Sequence, residues 1–302
     1  MTAISKAKAS SGKINFVLEP KSKYYDPLEE MFRESEVERR LENMFSCESL
    51  GIEDDQSQFD TDIIAEFERN IQFRDGCYWV KLPWFPDRIK SVPSNHGVAL
   101  KVLDRVVEKF TKADRYEDYL AVFRDQEREG IIERIQVDPK NFRDYVWIPH
   151  HPVYKTEEQA TTKIRPVFNC SLKTKHGCSL NEAAYPGINL MADLLEMLLK
   201  FRVDRHVLLA DIKKAFLMIK LRCDEDRNKF CFFLKENDNL VCFRYTTLIF
   251  GFNCSPFILN YVLKHHAQRF ATDECTNMLL NDFYVDNLIK TSNSLEYLVK
   301  LY

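Results

Sequence analysis

Glycine is scarce in this chain, with 8 residues in 302, and proline supplies only 11. So few breakers exclude a linker-like, collagenous or low-complexity chain. The nine cysteines form no CxxC pair and no Cys/His ligand spacing. That argues against zinc-ribbon and disulfide-scaffold classes, and reads as reduced thiols of a cytosolic or nuclear protein. Met1 to Lys13 has no apolar core, so no secretory leader is expected, and no run reaches the length of a membrane span. An excess of one charge is missing too: 43 basic against 46 acidic residues leave a formal charge of −3. Such a balance neither advertises a nucleic-acid partner nor excludes one, because local distribution decides. What is abundant is apolar and aromatic: 45% hydrophobic and 13% aromatic residues, 22 of them Phe, allow a substantial core.

Residues 1–26 are polar, and Pro27 to Phe45 carries Leu28, Met31, Phe32, Val37, Leu41 and Met44 at helical spacing. An acidic linker over 46–60 and a short helix over 62–70 are expected next. Asn70 to Trp84 predicts a hairpin, because Asp75-Gly76 between alternating apolar residues is a strong turn signal. Pro93 to Asn95 should cap a helix running to about Lys109, and Asp114 should start another that ends at Glu129 before Gly130. Residues 136–185 read as strands and loops. Leu190 to Phe201 predicts an amphipathic helix with Leu190, Leu194, Leu195, Leu198 and Phe201 on one face. A second hairpin turns at Glu236 to Asn239, and Pro256 to Phe270 is helical. Lys155, Lys163, Arg165, Lys173, Lys175 and His176 make one basic stretch. The pairs His150-His151 and His265-His266 point to opposite faces and are read as packing or surface residues rather than a metal clamp.

Two carboxylates stand out. In Asn281-Asp-Phe-Tyr-Val-Asp286-Asn287-Leu-Ile-Lys290, strands over 283–285 and 288–290 should close on an Asp286-Asn287 turn. Both residue types tolerate the positive φ of a tight hairpin. Asp211 follows Val207-Leu-Leu-Ala210, a run with the character of a buried strand. An aspartate there is costly unless it is paired or holds a metal. A salt-bridged strand end is the plainer alternative. Polymerases position two Mg²⁺ ions about 3.5–4 Å apart with carboxylates from neighbouring strands. Asp211 and Asp286 lie 75 positions apart (286 − 211), so only the fold can join them.

Several phrases resemble, in order, the palm motifs of reverse transcriptases. They are Ala210-Asp211-Ile-Lys-Lys-Ala-Phe216, Phe250-Gly251-Phe-Asn-Cys-Ser255-Pro256-Phe257 and Phe283-Tyr284-Val285-Asp286. Trp147-Ile-Pro-His-His151-Pro-Val, Lys163-Ile-Arg165-Pro-Val-Phe168-Asn-Cys-Ser171, Ser179-Leu-Asn181 and Ile289-Lys-Thr-Ser-Asn293 resemble the Pao/BEL group of LTR retrotransposons. The resemblance covers roughly residues 113 to 302. It implies an α+β fold of fingers (113–200) and palm (201–302), with residues 1–112 a protease-to-polymerase connecting region. No Asp-Thr-Gly or Asp-Ser-Gly protease triplet is present in it. Thumb and ribonuclease H would be missing, so a truncated element copy is expected.

The resemblance further implies an RNA-directed DNA polymerase using two Mg²⁺ ions, with Mn²⁺ able to substitute. Its partners would be dNTPs, an RNA or DNA template-primer and other parts of the Pol polyprotein, in cytoplasmic virus-like particles or the nucleus and without a membrane. Asp211, Asp286 and the Ile212 carbonyl would hold metal. Arg165, with Lys163 beside it, would grip the triphosphate. Phe216 would act as the steric gate against a 2′-hydroxyl, and a plain core phenylalanine is the alternative. Phe250 and Gly251 would line the nucleotide pocket, with Ser255, Pro256, Tyr284 and Val285 supporting it. Asn287 departs from the pattern, which has Asp there. The resulting loss of one charge makes a catalytically silent nucleic-acid-binding or structural remnant the competing expectation.

Overall fold

The computed structural model describes residues 58–154, 164–173 and 177–301. The expected helix at 27–45, residues 46–57 of the acidic linker, and Lys155, Lys163, Lys175 and His176 lie outside them; residues 58–60, expected in that linker, belong instead to helix Gln58–Asn70. By its contacts the chain divides into residues 1–56 and 57–302. Only the second unit is described below.

It is a mixed α+β unit with small, mainly antiparallel sheets. Helix Gln58–Asn70 leads into the hairpin β1 (Gln72–Arg74) and β2 (Cys77–Val80). Asp75 and Gly76 at its tip both have positive φ, as a two-residue hairpin turn requires. Helices Pro86–Lys90, His96–Lys112 and Tyr116–Arg128 follow, the last ending at Gly130 in the left-handed region. Then come β3 (Ile132–Ile135), β4 (His150–Tyr154) and β5 (Ile164–Phe168). Helix Leu194–Val203 precedes β6 (His206–Asp211), β7 (Lys220–Leu221), β8 (Cys231–Glu236) and β9 (Asn239–Tyr245). Helices Ser255–Phe270 and Asp273–Asn281 lead to β10 (Phe283–Tyr284), β11 (Asn287–Ser292) and helix Leu295–Leu301. The strands pair as β1-β2-β7, β3-β9-β8, β10-β11-β6 and β4-β5, with β2-β7 the parallel pair.

The main core runs from Phe67 through Tyr78, Val80 and Leu82 to Val262. The hairpin before residue 112 therefore shares it with the helix that starts at Ser255. Strand β8 is the centre. Cys-Phe-Phe-Leu has no polar alternation, which suits a strand covered on both faces. Phe232 meets Phe123, Phe168 and Tyr245 at ring-centroid distances of 5.2–5.4 Å. Phe233, facing the other way, stacks on Trp147 at 3.9 Å and 7°. The Trp147 indole donates to the Phe142 carbonyl at 2.7 Å, so its one polar atom is satisfied. His150 is buried beside them. Its Nε2 donates to the Phe233 carbonyl at 2.9 Å, which leaves Nδ1 to accept from the Tyr119 hydroxyl at 2.5 Å. Burial pushes the imidazole down to about 4.

Four sequence expectations need correction. The helix expected over 190–201 begins at Leu194, because Asp193 caps it by accepting from Leu195 N (2.7 Å) and Glu196 N (3.0 Å). Its leucine stripe faces outward: Leu194, Leu195, Leu198, Leu199 and Phe201 are exposed, and Met197 is the buried residue. Strand β6 is not buried on both faces, since Val207 and Leu209 are exposed while their neighbours turn inward. Asn95 stands at the start of helix His96–Lys112 but does not cap it with its side chain; its φ is +58° and its Oδ1 is buried without a partner. The fourth correction concerns the turn beside Asp286.

Candidate active site

The hairpin β10-β11 pairs Phe283 with Leu288 and Tyr284 with Asn287, so its two-residue tip is Val285-Asp286. The expected Asp286-Asn287 turn is displaced by one residue. Asn287 is the first residue of β11 and sits directly opposite Asp211 in β6, with Leu288 opposite Ala210 and Ile289 opposite Leu209. Long-range pairing with β6 thus outweighs the local preference of Asn for a turn. The positive φ falls instead on Val285, at +57°. A β-branched residue there is strained, and such strain persists only where the surroundings impose it. Here they do: Val285 packs on the main core, and the Asp286 carbonyl accepts from Ile212 N at 2.9 Å.

Directly opposed residues of antiparallel strands project from the same face. Asp211 and Asn287 therefore share the exposed face that also carries Leu209 and Val207. Behind it, Asp282 is buried and pairs with Lys290 at 2.5 Å, and Ile289 N donates to the Asp282 carbonyl at 2.8 Å. The hairpin is braced from its inner side.

Phe216, Phe250 and Gly251 are linked by contacts to the turn that follows Asp211. After Asp211 the backbone turns sharply, with Lys214 and Ala215 at positive φ, into the 3-10 helix Ala215–Met218. This turn buries Phe216, whose ring meets Phe250 at 4.9 Å, edge to face. Phe250 is half-exposed. Gly251 follows at φ +89°, and a Cβ there would lie 2.9 Å from the Phe168 carbonyl, so both conformation and space require glycine. Phe168 ends β5, the strand that also carries Arg165. Arg165 is exposed opposite Val153. Ser255 is buried and donates to the Ile249 carbonyl at 2.9 Å, and Pro256 lies in the first turn of its helix. Both brace the 250–254 turn from inside. Tyr284 is half-buried beside Asn287. Lys163 lies outside the described residues.

Sequence reasoning gave no site role to Asn181, although the phrase Ser179-Leu-Asn181 was visible. Its Nδ2 donates to the Gly251 carbonyl at 3.1 Å, and its Oδ1 accepts from Asn253 N at 3.0 Å. Asn253 returns a bond to the Asn181 carbonyl at 2.6 Å, closing a clasp around the Gly251 turn. Lys214, in the turn after Asp211, pairs with Glu129.

The donors at the tip fit a divalent cation incompletely. Among the described residues no group of three His, Cys, Asp or Glu side chains is placed to hold a metal. Asp211 and Asp286 supply two carboxylates. The Ile212 carbonyl already accepts from Ala215 N at 3.1 Å, which leaves it one lone pair. The Asn287 amide donates to Asp286 Oδ1 at 3.0 Å. Asn287 therefore does more than remove a charge: it occupies an oxygen that a cation would use. The hard oxygen set suits Mg²⁺ or Mn²⁺ in type.

No protein-family model matches the chain, and no curated protein matches it. Among solved structures it is similar to a foamy viral protease-reverse transcriptase in complex with double-stranded DNA. That match has 16% identity and a TM-score of 0.42, over 59% of this chain and 26% of that one. A foamy viral protease-reverse transcriptase in complex with an RNA/DNA hybrid matches at 15% identity and TM-score 0.43, over 61% of this chain and 21% of that one. The matched region thus spans about a quarter or less of those chains.

Proposed function

We propose that this chain carries the fingers and palm of an RNA-directed DNA polymerase of a Pao/BEL-type retrotransposon, impaired in its present form by Asn287. The observation that carries this reading is the register of β6 against β11. Two motifs 75 positions apart (286 − 211) meet with Asp211 opposite Asn287 and the Asp286 carbonyl bonded to Ile212 N. An aspartate-tipped hairpin laid beside an aspartate-ended strand is what two-metal nucleotidyl transfer needs.

In this reading Asp211 and Asp286 hold Mg²⁺, which when bound activates the primer 3′-hydroxyl and offsets charge on the transferring phosphate. Arg165, with Lys163, holds the triphosphate of the incoming dNTP. Phe216, fixed against Phe250, excludes a 2′-hydroxyl. Gly251, held by Asn181, lets the backbone approach the nucleotide. Template-primer and the rest of a Pol polyprotein are its partners, in virus-like particles or the nucleus. The Asn287–Asp286 hydrogen bond favours a second reading, a remnant that binds nucleic acid without extending it.

Mg²⁺-dependent primer extension on an RNA template, run for this chain and for Asn287→Asp, separates the two. The substitution returns a carboxylate and frees Asp286 Oδ1, and should raise the rate roughly 10²–10⁴-fold, about 3–5 kcal/mol of barrier. Equal activity in parent and variant would remove Asn287 as the lesion. Silence in both folded proteins would leave the remnant reading.

A further inference from the structure

A second feature of the molecule lies away from the carboxylates. Between β2, helix Pro86–Lys90 and the 222–229 segment is a cavity of about 670 Å³. That size suits a small-molecule or nucleotide-sized occupant. Four cations line it: Lys81, Lys90, Arg222 and Lys229. Among the described residues the three lysines form no salt bridge, and Arg222 donates only to the carbonyl and amide oxygens of Asn70, at 3.2 and 3.3 Å. The acidic lining is Glu225 and Asp226. Asp226 is buried and already committed, accepting from Leu82 N at 2.9 Å and from the Trp84 indole at 2.7 Å. The cavity is therefore net positive, with Lys81 also acting on the Asp226 carboxylate and Arg222 held by Asn70.

Trp84 forms part of the wall. Its indole N–H is tied to Asp226 and its ring is backed by Phe252 at 5.4 Å and Phe230 at 6.5 Å. The ring is thus held in one orientation and only half-buried. Unpaired cations around a fixed aromatic ring are the elements with which proteins hold phosphates while a base stacks. One short segment packs against both regions: Phe250 touches Phe216, and two residues later Phe252 touches Trp84.

We propose that this cavity is a single-strand nucleic-acid site, in which Trp84 stacks on an unpaired base and Lys81, Lys90, Arg222 and Lys229 contact the flanking phosphates. A duplex keeps its bases stacked on each other and cannot use the indole, so single strands are preferred. The site does not depend on the carboxylates being catalytically competent.

The test is fluorescence anisotropy of a labelled single-stranded oligonucleotide with the full chain, in EDTA, so that metal at Asp211 and Asp286 plays no part. Failure of primer extension would leave this result untouched. Lys81→Glu/Lys90→Glu alters two exposed, unpaired side chains and should weaken binding at least tenfold. Loss of two phosphate contacts should also flatten the salt dependence, by about 1.4 in the slope of log K against log salt. The matched control Lys101→Glu/Arg105→Glu, on helix His96–Lys112, removes the same charge and should cost threefold or less. An abasic strand of equal length should bind several-fold more weakly than the base-bearing one. Equal losses in the two double variants would overturn the site. So would equal affinity for the abasic strand, for a mononucleotide, or for polyglutamate of the same charge.

Discussion

The sheet β3-β9-β8 and the sheet β10-β11-β6 each have three strands and bury them in opposite ways. In β8, Phe232, Phe233 and Leu234 are at most 1% exposed, one face meeting Phe123 and Phe168 and the other Trp147 and Phe142. In β6, Leu209 is 62% exposed, on the face that also carries Asp211. The first sheet is held by packing on both sides. The second is held by packing on one side and by its ladder, and spends its other face on the candidate chemistry. Stability and candidate function therefore reside in different sheets, and substitutions should sort accordingly.

The sharpest way to break that contrast is Trp147→Ala. It empties a fully buried site and removes the stack on Phe233, while the Phe142 carbonyl keeps its bond from the Ser94 hydroxyl, and it should cost about 4 kcal/mol in urea or thermal unfolding. An effect below ~1 kcal/mol would mean that the aromatic layer is not what holds the unit together.

Acid is the next largest. His150 falls to about 4 in the folded chain, against about 6.5 unfolded. A depressed histidine adds stability that is fully present above the unfolded value. It is lost as pH falls from about 6.5 to about 4, up to roughly 3 kcal/mol, because the unfolded chain binds the proton first. Urea midpoints across that range should fall with acid, and His150→Gln should flatten the slope.

Gly251→Ala is expected to cost about 2 kcal/mol, since it adds a Cβ at positive φ against the Phe168 carbonyl. A neutral result would show that the β5 end and the 250–254 turn separate easily. At the small end, Leu209→Ser on the open face of β6 should change stability by no more than ~0.5 kcal/mol. A cost near that of Trp147→Ala would erase the distinction between the sheets.

Local chemistry made much of the fold legible. Asp75-Gly76, Asn237-Asp238 and Gly130 stand at positive φ, and each was readable as a turn or helix end from residue type alone. The second hairpin was read from its turn, but the covering of β8 on both faces was not part of that reading. The errors share a cause. Periodicity reveals that residues lie on one side of an element, not whether anything covers that side. The stripe of helix Leu194–Val203 and the Val207–Leu209 face of β6 were therefore expected inside and are found outside. The turn at 285–286 was misplaced because pairing with β6 fixes the register, and residue preference at the tip yields to it. The meeting of Asp211 with Asp286-Asn287 was anticipated only through motif order, since nothing local in either phrase points to the other. Asn181 was overlooked because its part is to clasp a backbone rather than to carry charge.

The bond from Ile212 N to the Asp286 carbonyl has a further consequence. The two acidic segments are joined by main chain, and the joint does not depend on which side chain occupies position 287. Asn and Asp are nearly isosteric, and residue 287 faces solvent. A chain bearing either one should therefore fold alike, with Asp costing no more than about 1 kcal/mol for the lost amide bond and the like charge opposite Asp211. Any screen that grades sequences by solubility or foldedness is blind to this position.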